Sequence, residues 1–298
     1  MPSDHETDRL KEHSEPIAPG LYLVATPIGN LEDITLRALR ILRSVDRIAC
    51  EDTRQTQKLL NHFGITTPTV SYHMHNEGSR SEELVEALKQ GARIAVVSDA
   101  GTPGIADPGS QIAAAAINAG IPVFPIPGAN AAISGLIASG LSTERFTFHG
   151  FLPSKAGQRK TFLEEIPRTG GTTHIFYETP HRILEALADI EAVFGPAQPV
   201  VIARELTKLH EEFLRAPVSE LHAELTARPV IRGEIVLMLT PAEQQSTTPS
   251  TSIAEAVSAL MKSENLTEKD ALKRVARDRG IGKSEAYREL QREQNRLR

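Results

Sequence analysis

The sequence predicts a two-domain α/β protein: a mainly parallel N-terminal sheet, a mixed second sheet, and a small C-terminal helical module. Three observations predict this. Short apolar runs alternate with helical patterns from Gly20 to Ser139. Gly/Pro-rich loops follow several of those runs. The spacing then changes after Leu141 and again after a polar stretch near residue 245. A βαβα order implies parallel strands joined by right-handed crossovers. Strands covered on both faces read as near-continuous apolar runs.

Met1–Pro19 is polar and charged and reads as a disordered arm. Strands are expected at Leu21–Ala25, Arg47–Cys50, Thr69–Tyr72, Ile94–Ser98 and Pro122–Ile126. Helices are expected at Thr35–Ser44, Thr53–Phe63, Ser81–Gln90, Gln111–Ala119 and Ala129–Ser139. These make up a first domain over residues 20–140. In the second domain, residues 141–242, strands are expected at Arg145–Phe148, His174–Tyr177, Val200–Ala203, Glu211–Leu214 and Ile235–Leu239. Helices fall at Gln158–Ile166 and Val218–Leu225. Residues 243–252 are Gln/Ser/Thr/Pro-rich and read as a linker. Residues 253–298 carry helical patterns broken at Asn265 and at Gly280-Ile281-Gly282, with Thr267 and Ser284 as expected N-caps, a helix-turn-helix-like module.

At 298 residues the chain holds roughly two domains of ordinary size. No apolar run approaches the ~20 residues of a membrane span, and the N-terminus has no secretory core. A cytoplasmic protein without membrane partners is expected. A single cysteine, Cys50, excludes internal disulfides and a Cys-rich zinc site, and its place at the end of an apolar strand suggests a buried, inert thiol. The net charge of −5 does not advertise nucleic-acid binding, yet its distribution is uneven. Residues 253–298 hold 11 Lys/Arg against 8 Asp/Glu, and the remainder 22 against 30. A modestly basic tail on an acidic body hints at an RNA-facing module, although a solvated helical surface has the same composition.

The richest stretch is Ser98-Asp99-Ala100-Gly101-Thr102-Pro103-Gly104-Ile105-Ala106-Asp107-Pro108-Gly109, between a strand and a helix. Thr26-Pro27-Ile28-Gly29-Asn30 and Pro127-Gly128-Ala129-Asn130 have the same position and character. Ordinary βα turns favour these residues too. Three such loops in one half, at the carboxyl ends of strands, argue for a single ligand crevice. Other motifs fail: Gly282-Lys283-Ser284 lacks the glycine and strand of a phosphate loop, no Gly-x-Gly-x-x-Gly or Gly-x-Ser-x-Gly follows a strand, and His73 with His75 lacks a third metal ligand. No metal site is expected.

Further motifs are Cys50-Glu51-Asp52-Thr53-Arg54, Phe176-Tyr177-Glu178-Thr179-Pro180-His181-Arg182, Ala203-Arg204-Glu205-Leu206-Thr207-Lys208 and Arg232-Gly233-Glu234. With the loops above, they resemble the tetrapyrrole methylase superfamily of S-adenosylmethionine-dependent methyltransferases. Within it they are most similar to the small-subunit (16S) ribosomal RNA cytidine 2′-O-methyltransferases. The resemblance runs from Gly20 to about Thr240 and continues into the tail. It implies the tetrapyrrole methylase-like fold, with S-adenosylmethionine folded between two α/β domains. It implies cofactor contacts from Pro27, Ile28, the loop Gly101, Thr102, Pro103, Gly104 and Ile105, and Ala131, with Tyr177, Ala203 and Gly233 closing over them. It also implies 2′-O-methylation of a cytidine in the decoding region, on rRNA or the 30S particle, by a homodimer.

A ribose hydroxyl is a poor nucleophile near neutral pH, so a proton acceptor or strict orientation is needed. Glu178 and Lys208 are the candidate catalytic residues. Asn30, Arg54, Lys155, Arg182 and Arg204 are candidate RNA contacts on the cleft rim. Acidic residues beside basic ones at strand ends equally suit structural ion pairs. A small-molecule tetrapyrrole methyltransferase and a non-catalytic ribosome-binding factor are the competing functions. The basic module argues against the first and the donor-loop motifs against the second.

Overall fold

The computed structural model describes residues 17–74, 76–167, 171–242, 252–264, 266–279 and 281–296; the side chains of 283, 284 and 294–296 lie outside the description. The chain divides into two compact units, Met1–Ala242 and Glu243–Arg298.

The first unit holds two five-stranded sheets. In the first sheet, β1 (Gly20–Val24), β2 (Arg47–Cys50), β3 (Thr69–Ser71), β4 (Arg93–Val97) and β5 (Val123–Ile126) lie in the order β3-β2-β4-β1-β5, every pair parallel. The connecting helices are α1 (Leu36–Ser44), α2 (Thr53–His62), α3 (Glu77–Lys89), α4 (Ser110–Asn118) and α5 (Ala131–Ser139). Two apolar cores, one per sheet face, explain the unbroken apolar strands: Tyr22, Val24, Leu42 and Ile48 belong to one, Leu21, Leu84, Ile94 and Ile112 to the other.

Helix α1 begins where the Thr35 hydroxyl accepts the Ala38 N–H at 3.0 Å. Helix α3 starts at Glu77, four residues before the Ser81 expected from the sequence. Glu77 is buried, accepting the Tyr72 hydroxyl at 2.8 Å and the Gly109 N–H at 3.2 Å. A buried carboxylate with long-range donors has no local sequence signal. Ile17, assigned to the arm from sequence, packs on the first core, and the Tyr22 hydroxyl donates to Ala18 O. Residues 1–16 lie outside the described residues, as do 243–251 of the expected linker.

In the second sheet, β6 (Phe146–Phe151), β7 (Thr173–Glu178), β8 (Pro199–Arg204), β9 (Glu212–Pro217) and β10 (Ile235–Leu239) run in the order β6-β7-β10-β8-β9. Only β6 and β7 pair in parallel. Helices α6 (Ala156–Glu165), α7 (Ile183–Phe194) and α8 (Val218–Ala227) cover one face. Helix α7 has no counterpart in the sequence reading, although Ile183, Ala186, Leu187 and Ile190 repeat at helical spacing and are all buried.

The other face packs on α5. Ala132 and Leu136 of α5 join Ile175, Val201, Val236 and Met238 in one core, and Gly135 lets the helix approach: a Cβ there would lie 3.3 Å from Val236 Cγ1. Burying each large aliphatic side chain here contributes about 1.5–3 kcal/mol, so the two sheets are held against each other, with the strand-end loops between them.

The second unit is three helices, α9 (Ile253–Glu264), α10 (Glu268–Asp278) and α11 (Lys283–Arg296), around Val257, Leu272, Val275 and Leu290. Thr267 caps α10, accepting the Asp270 N–H at 3.3 Å. Ser284, expected to cap α11, sits inside its first turn; the Gly282 carbonyl already accepts the Glu285 and Ala286 N–H groups. Among the described residues no helix is long and apolar enough to cross a membrane.

Candidate active site

The three Gly/Pro loops meet at the carboxyl end of the first sheet. Thr26 and Gly101 exchange backbone hydrogen bonds at 2.9 and 3.1 Å, joining the loops after β1 and β4. The Thr102 hydroxyl donates to Ala129 O at 3.1 Å, joining the loops after β4 and β5. Asp99 Oδ1 accepts the Asp52 N–H at 3.1 Å, drawing in the loop after β2. Gly101 and Gly104 have φ of +85° and +81°, values that favour glycine, and Ala106 is held at +63°.

Above these loops, facing the second sheet, is a cleft of about 420 Å³, within the roughly 300–1,000 Å³ of small-molecule sites. Ile28, Gly101, Thr102, Ile105 and Ala131 line it from the first lobe, and Tyr177 and Glu178 from the second. Seven of the residues expected from sequence are thus gathered in one place. Phe151, Leu206 and Val236 add apolar wall.

The cleft's charge was not visible in the sequence. Glu51, Asp99, Asp107, Glu178 and Glu234 line it and, among the described residues, no Lys, Arg or His does. Burial, then the negative charges of Glu51 and Asp99, push the Asp107 carboxyl up to about 6. Burial and Asp99 also raise Glu51. Burial raises Glu178, opposed by the Thr179 N–H and by Arg182. Clustered, partly desolvated carboxylates beside apolar walls favour a compact cation. S-adenosylmethionine, with its sulfonium and ammonium, fits that charge, and the small residues of the floor let backbone approach it. Asp99 and Asp107 come from the loop after β4 and Glu234 from the turn before β10, and the fold brings them together with Glu51 and Glu178.

Other expected residues sit elsewhere. Pro103 is buried in the loop and Gly104 turns it, the Gly104 N–H reaching Pro108 O at 3.2 Å. Ala203 is fully buried within β8. Gly233, at φ +90°, leaves room for the Glu205 carboxylate, with which a Cβ there would clash. Pro27 lines a neighbouring cavity. These five do not line the cleft. Cys50 is buried, its thiol near Val70 O at 3.7 Å.

Lys208 lies against Gly29, with Glu205 Oε1 at 2.9 Å and Glu234 Oε2 at 3.0 Å. Against the opposing effect of burial, these carboxylates raise the Lys208 pKa. Two carboxylates favour the protonated ammonium, the form that donates a proton. Glu205 and Thr207 around it take left-handed φ of +54° and +65°.

The expected RNA contacts divide. Arg182 donates to Leu152 O and to Glu178 Oε1 (3.1 Å), and Arg204 to Glu212 Oε2 (3.0 Å) and Arg232 O (2.9 Å). Both are paired with carboxylates of the second sheet. Asn30 is exposed and accepts the Glu32 N–H at 3.0 Å, capping a short 3-10 turn. Lys155 is exposed at the start of α6, and Arg54, 88% exposed, pairs with Asp52 at 3.0 Å. None of the five lines the cleft. His75 lies outside the described residues. Among the described residues, no group of three or more His, Cys, Asp or Glu is placed to hold a metal.

Comparison with known proteins agrees with this architecture. The family model for tetrapyrrole (corrin/porphyrin) methylases matches residues 20–222. The chain is 48% identical over 272 residues to the ribosomal RNA small subunit methyltransferase I of Halalkalibacterium halodurans, covering 90% of this chain and 93% of that protein. It is 50% identical over 220 residues to the protein of the same name from Haemophilus influenzae, covering 74% and 77%. The crystal structure of uroporphyrin-III-C-methyltransferase from Thermus thermophilus superposes with a TM-score of 0.51 at 19% identity, covering 74% of this chain and 94% of that one, which shows the shared fold. Strand-end loops between two sheets, an acidic cleft and these matches lead to one conclusion: the chain belongs to the tetrapyrrole methylase family, among methyltransferases whose relatives are named ribosomal RNA small subunit methyltransferase I.

Proposed function

We propose that this protein transfers the methyl group of S-adenosylmethionine to the ribose 2′-hydroxyl of a cytidine in the decoding region of small-subunit (16S) rRNA. The observation that carries the donor assignment is the cleft's five carboxylates without a basic partner in its lining. Bound there, the donor supplies a methyl group activated on a sulfonium, which an oxygen displaces in line. Methyltransferases of this family use that donor, and the relatives' names supply the substrate class.

This chain's residues do the positioning. Gly101, Thr102 and Ile105 offer backbone close to the donor, while Phe151 and Tyr177 exclude water from the cleft. Glu178, its pKa raised by burial, is the proton acceptor for the attacking hydroxyl. Lys208 holds Glu234 in place. Residues 20–140 and 141–242 are the two lobes around the donor, and 253–298 the RNA-facing module. The reading extends to a cytoplasmic homodimer acting on rRNA or the 30S particle.

The test is to map ribose methylation in small-subunit rRNA from cells with and without this protein, alongside calorimetric titration with S-adenosylmethionine. Loss of one 2′-O-methylcytidine and 1:1 donor binding are expected. An unchanged methylation map overturns the substrate; absent donor binding overturns the enzyme. Glu178→Gln, assayed at saturating donor and subunit, is expected to lower turnover at least 100-fold; near-normal turnover removes Glu178 as the base.

A further inference from the structure

A second cavity, of about 580 Å³, adjoins the donor cleft. The two share Ile28, Asp99, Ala100 and Glu234, so these residues border both spaces. Helix α2 forms one side of the second cavity. Gln55, Lys58 and His62 recur at three- and four-residue spacing, which places them on one face of the helix, and all three line the cavity.

The two spaces differ in their charge, although Asp99 and Glu234 border both. The donor cleft has no basic lining residue, whereas the second cavity is lined by Lys58, His62 and Lys208. Lys208 is neutralised by Glu205 and Glu234. The Lys58 ammonium donates to the neutral Gln55 Oε1 at 2.9 Å and, among the described residues, has no carboxylate partner. It is exposed, as is His62. Pro27, Leu31 and Leu59 supply apolar surface of the kind that holds a flat ring. A space with an uncommitted cation, an apolar wall and a shared boundary with a methyl-donor cleft has the features an acceptor nucleotide requires.

We propose that this second cavity seats the acceptor nucleotide, extruded from a single-stranded stretch of RNA, with Lys58 and His62 on its phosphate and its ribose toward Ile28 and Ala100. This rests on the methyltransferase reading above. Extrusion follows from size: a duplex does not enter a recess of this volume. Phosphate contacts fix register and orientation and leave base choice to the apolar wall.

The test compares the wild type with Lys58→Ala/His62→Ala and with Lys58→Arg. The substrate is 30S subunits from cells lacking this protein. In the double variant, KM for subunits is expected to rise about tenfold, the slope of log KM against log salt to fall by about 1, and S-adenosylmethionine affinity to stay at the wild-type value. Lys58→Arg keeps the charge and is expected to keep KM within about twofold. Both side chains are exposed, so an unchanged melting temperature is expected. Wild-type KM and salt slope in the double variant overturn the nucleotide seat while the methyltransferase reading stands. A parallel loss of donor affinity also overturns it, because the cavity then belongs to the donor. If the wild type itself leaves the subunits unmethylated, the enzyme reading fails first and the seat falls with it.

Discussion

Asp107 is a cleft residue whose charge changes near pH 6. Its carboxyl rises from the ordinary aspartate value of 3.8 to about 6 on burial beside Glu51 and Asp99. Between about pH 4 and pH 6 the native protein therefore holds a proton that the unfolded chain has released. This contribution to stability is full below pH 4 and is lost as pH rises through 6. Asp107→Asn removes the penalty. At pH 7.5 it is expected to stabilise the protein by roughly 1–2 kcal/mol, after discounting for solvent screening, read from urea unfolding and vanishing at pH 4. The wild type is expected to gain affinity for S-adenosylmethionine between pH 5 and 7, and the variant to bind more weakly and to lack that gain. Unchanged stability and affinity at pH 7.5 would show that Asp107 is not the strained charge the cleft's geometry makes it.

Helices α6 and α7 are tied by a buried ion pair. Arg159 is 1% exposed, its Nε 2.7 Å from Asp189 Oδ2 and its Nη2 3.2 Å from Glu185. Lys160 also reaches Asp189, at 3.4 Å. Arg159→Met leaves Asp189 buried with one weaker partner, an expected loss of about 3 kcal/mol in chemical denaturation; adding Asp189→Leu is expected to restore most of it. Gly233→Ala meets both a left-handed φ and the Glu205 carboxylate. It is expected to lower stability by at least about 1 kcal/mol and, by displacing Glu205, to free Lys208, which NMR titration of the Lys208 ammonium would read as a lower pKa. The elements themselves were largely legible. Parallel strands such as Ile94-Ala95-Val96-Val97 are buried on both faces, and their composition says so. The bounds that failed had non-local causes: Glu77 starts α3 because Tyr72 and Gly109 donate to it, and Ser284 is overtaken by the Gly282 carbonyl.

The chain's two compact units differ in charge, an acidic body and a modestly basic tail. The tail has its own apolar core and shares no strand with the body. A protein ending at Ala242 is expected to unfold in one cooperative transition and to bind S-adenosylmethionine with the full chain's affinity. Its affinity for small ribosomal subunits is expected to fall several-fold, with a shallower salt dependence, read by filter binding. Equal subunit affinity with and without the tail would remove its RNA role.

Local patterns carry local facts. The alternation of apolar runs, the Gly/Pro loops at strand ends and the motifs from Thr26 to Glu234 were enough to name the fold class, the family resemblance and the loops that form the cleft. They could not say which charges meet. Arg182 and Arg204 look like free cations along the chain, yet Glu178 and Glu212 claim them in space. Carboxylates from the loops after β2 and β4, the end of β7 and the turn before β10 converge on one cleft, and Lys58 faces a neighbouring cavity and, among the described residues, has no carboxylate partner. Pairing energy depends on distance and burial across the fold, quantities that no run of neighbouring residues encodes.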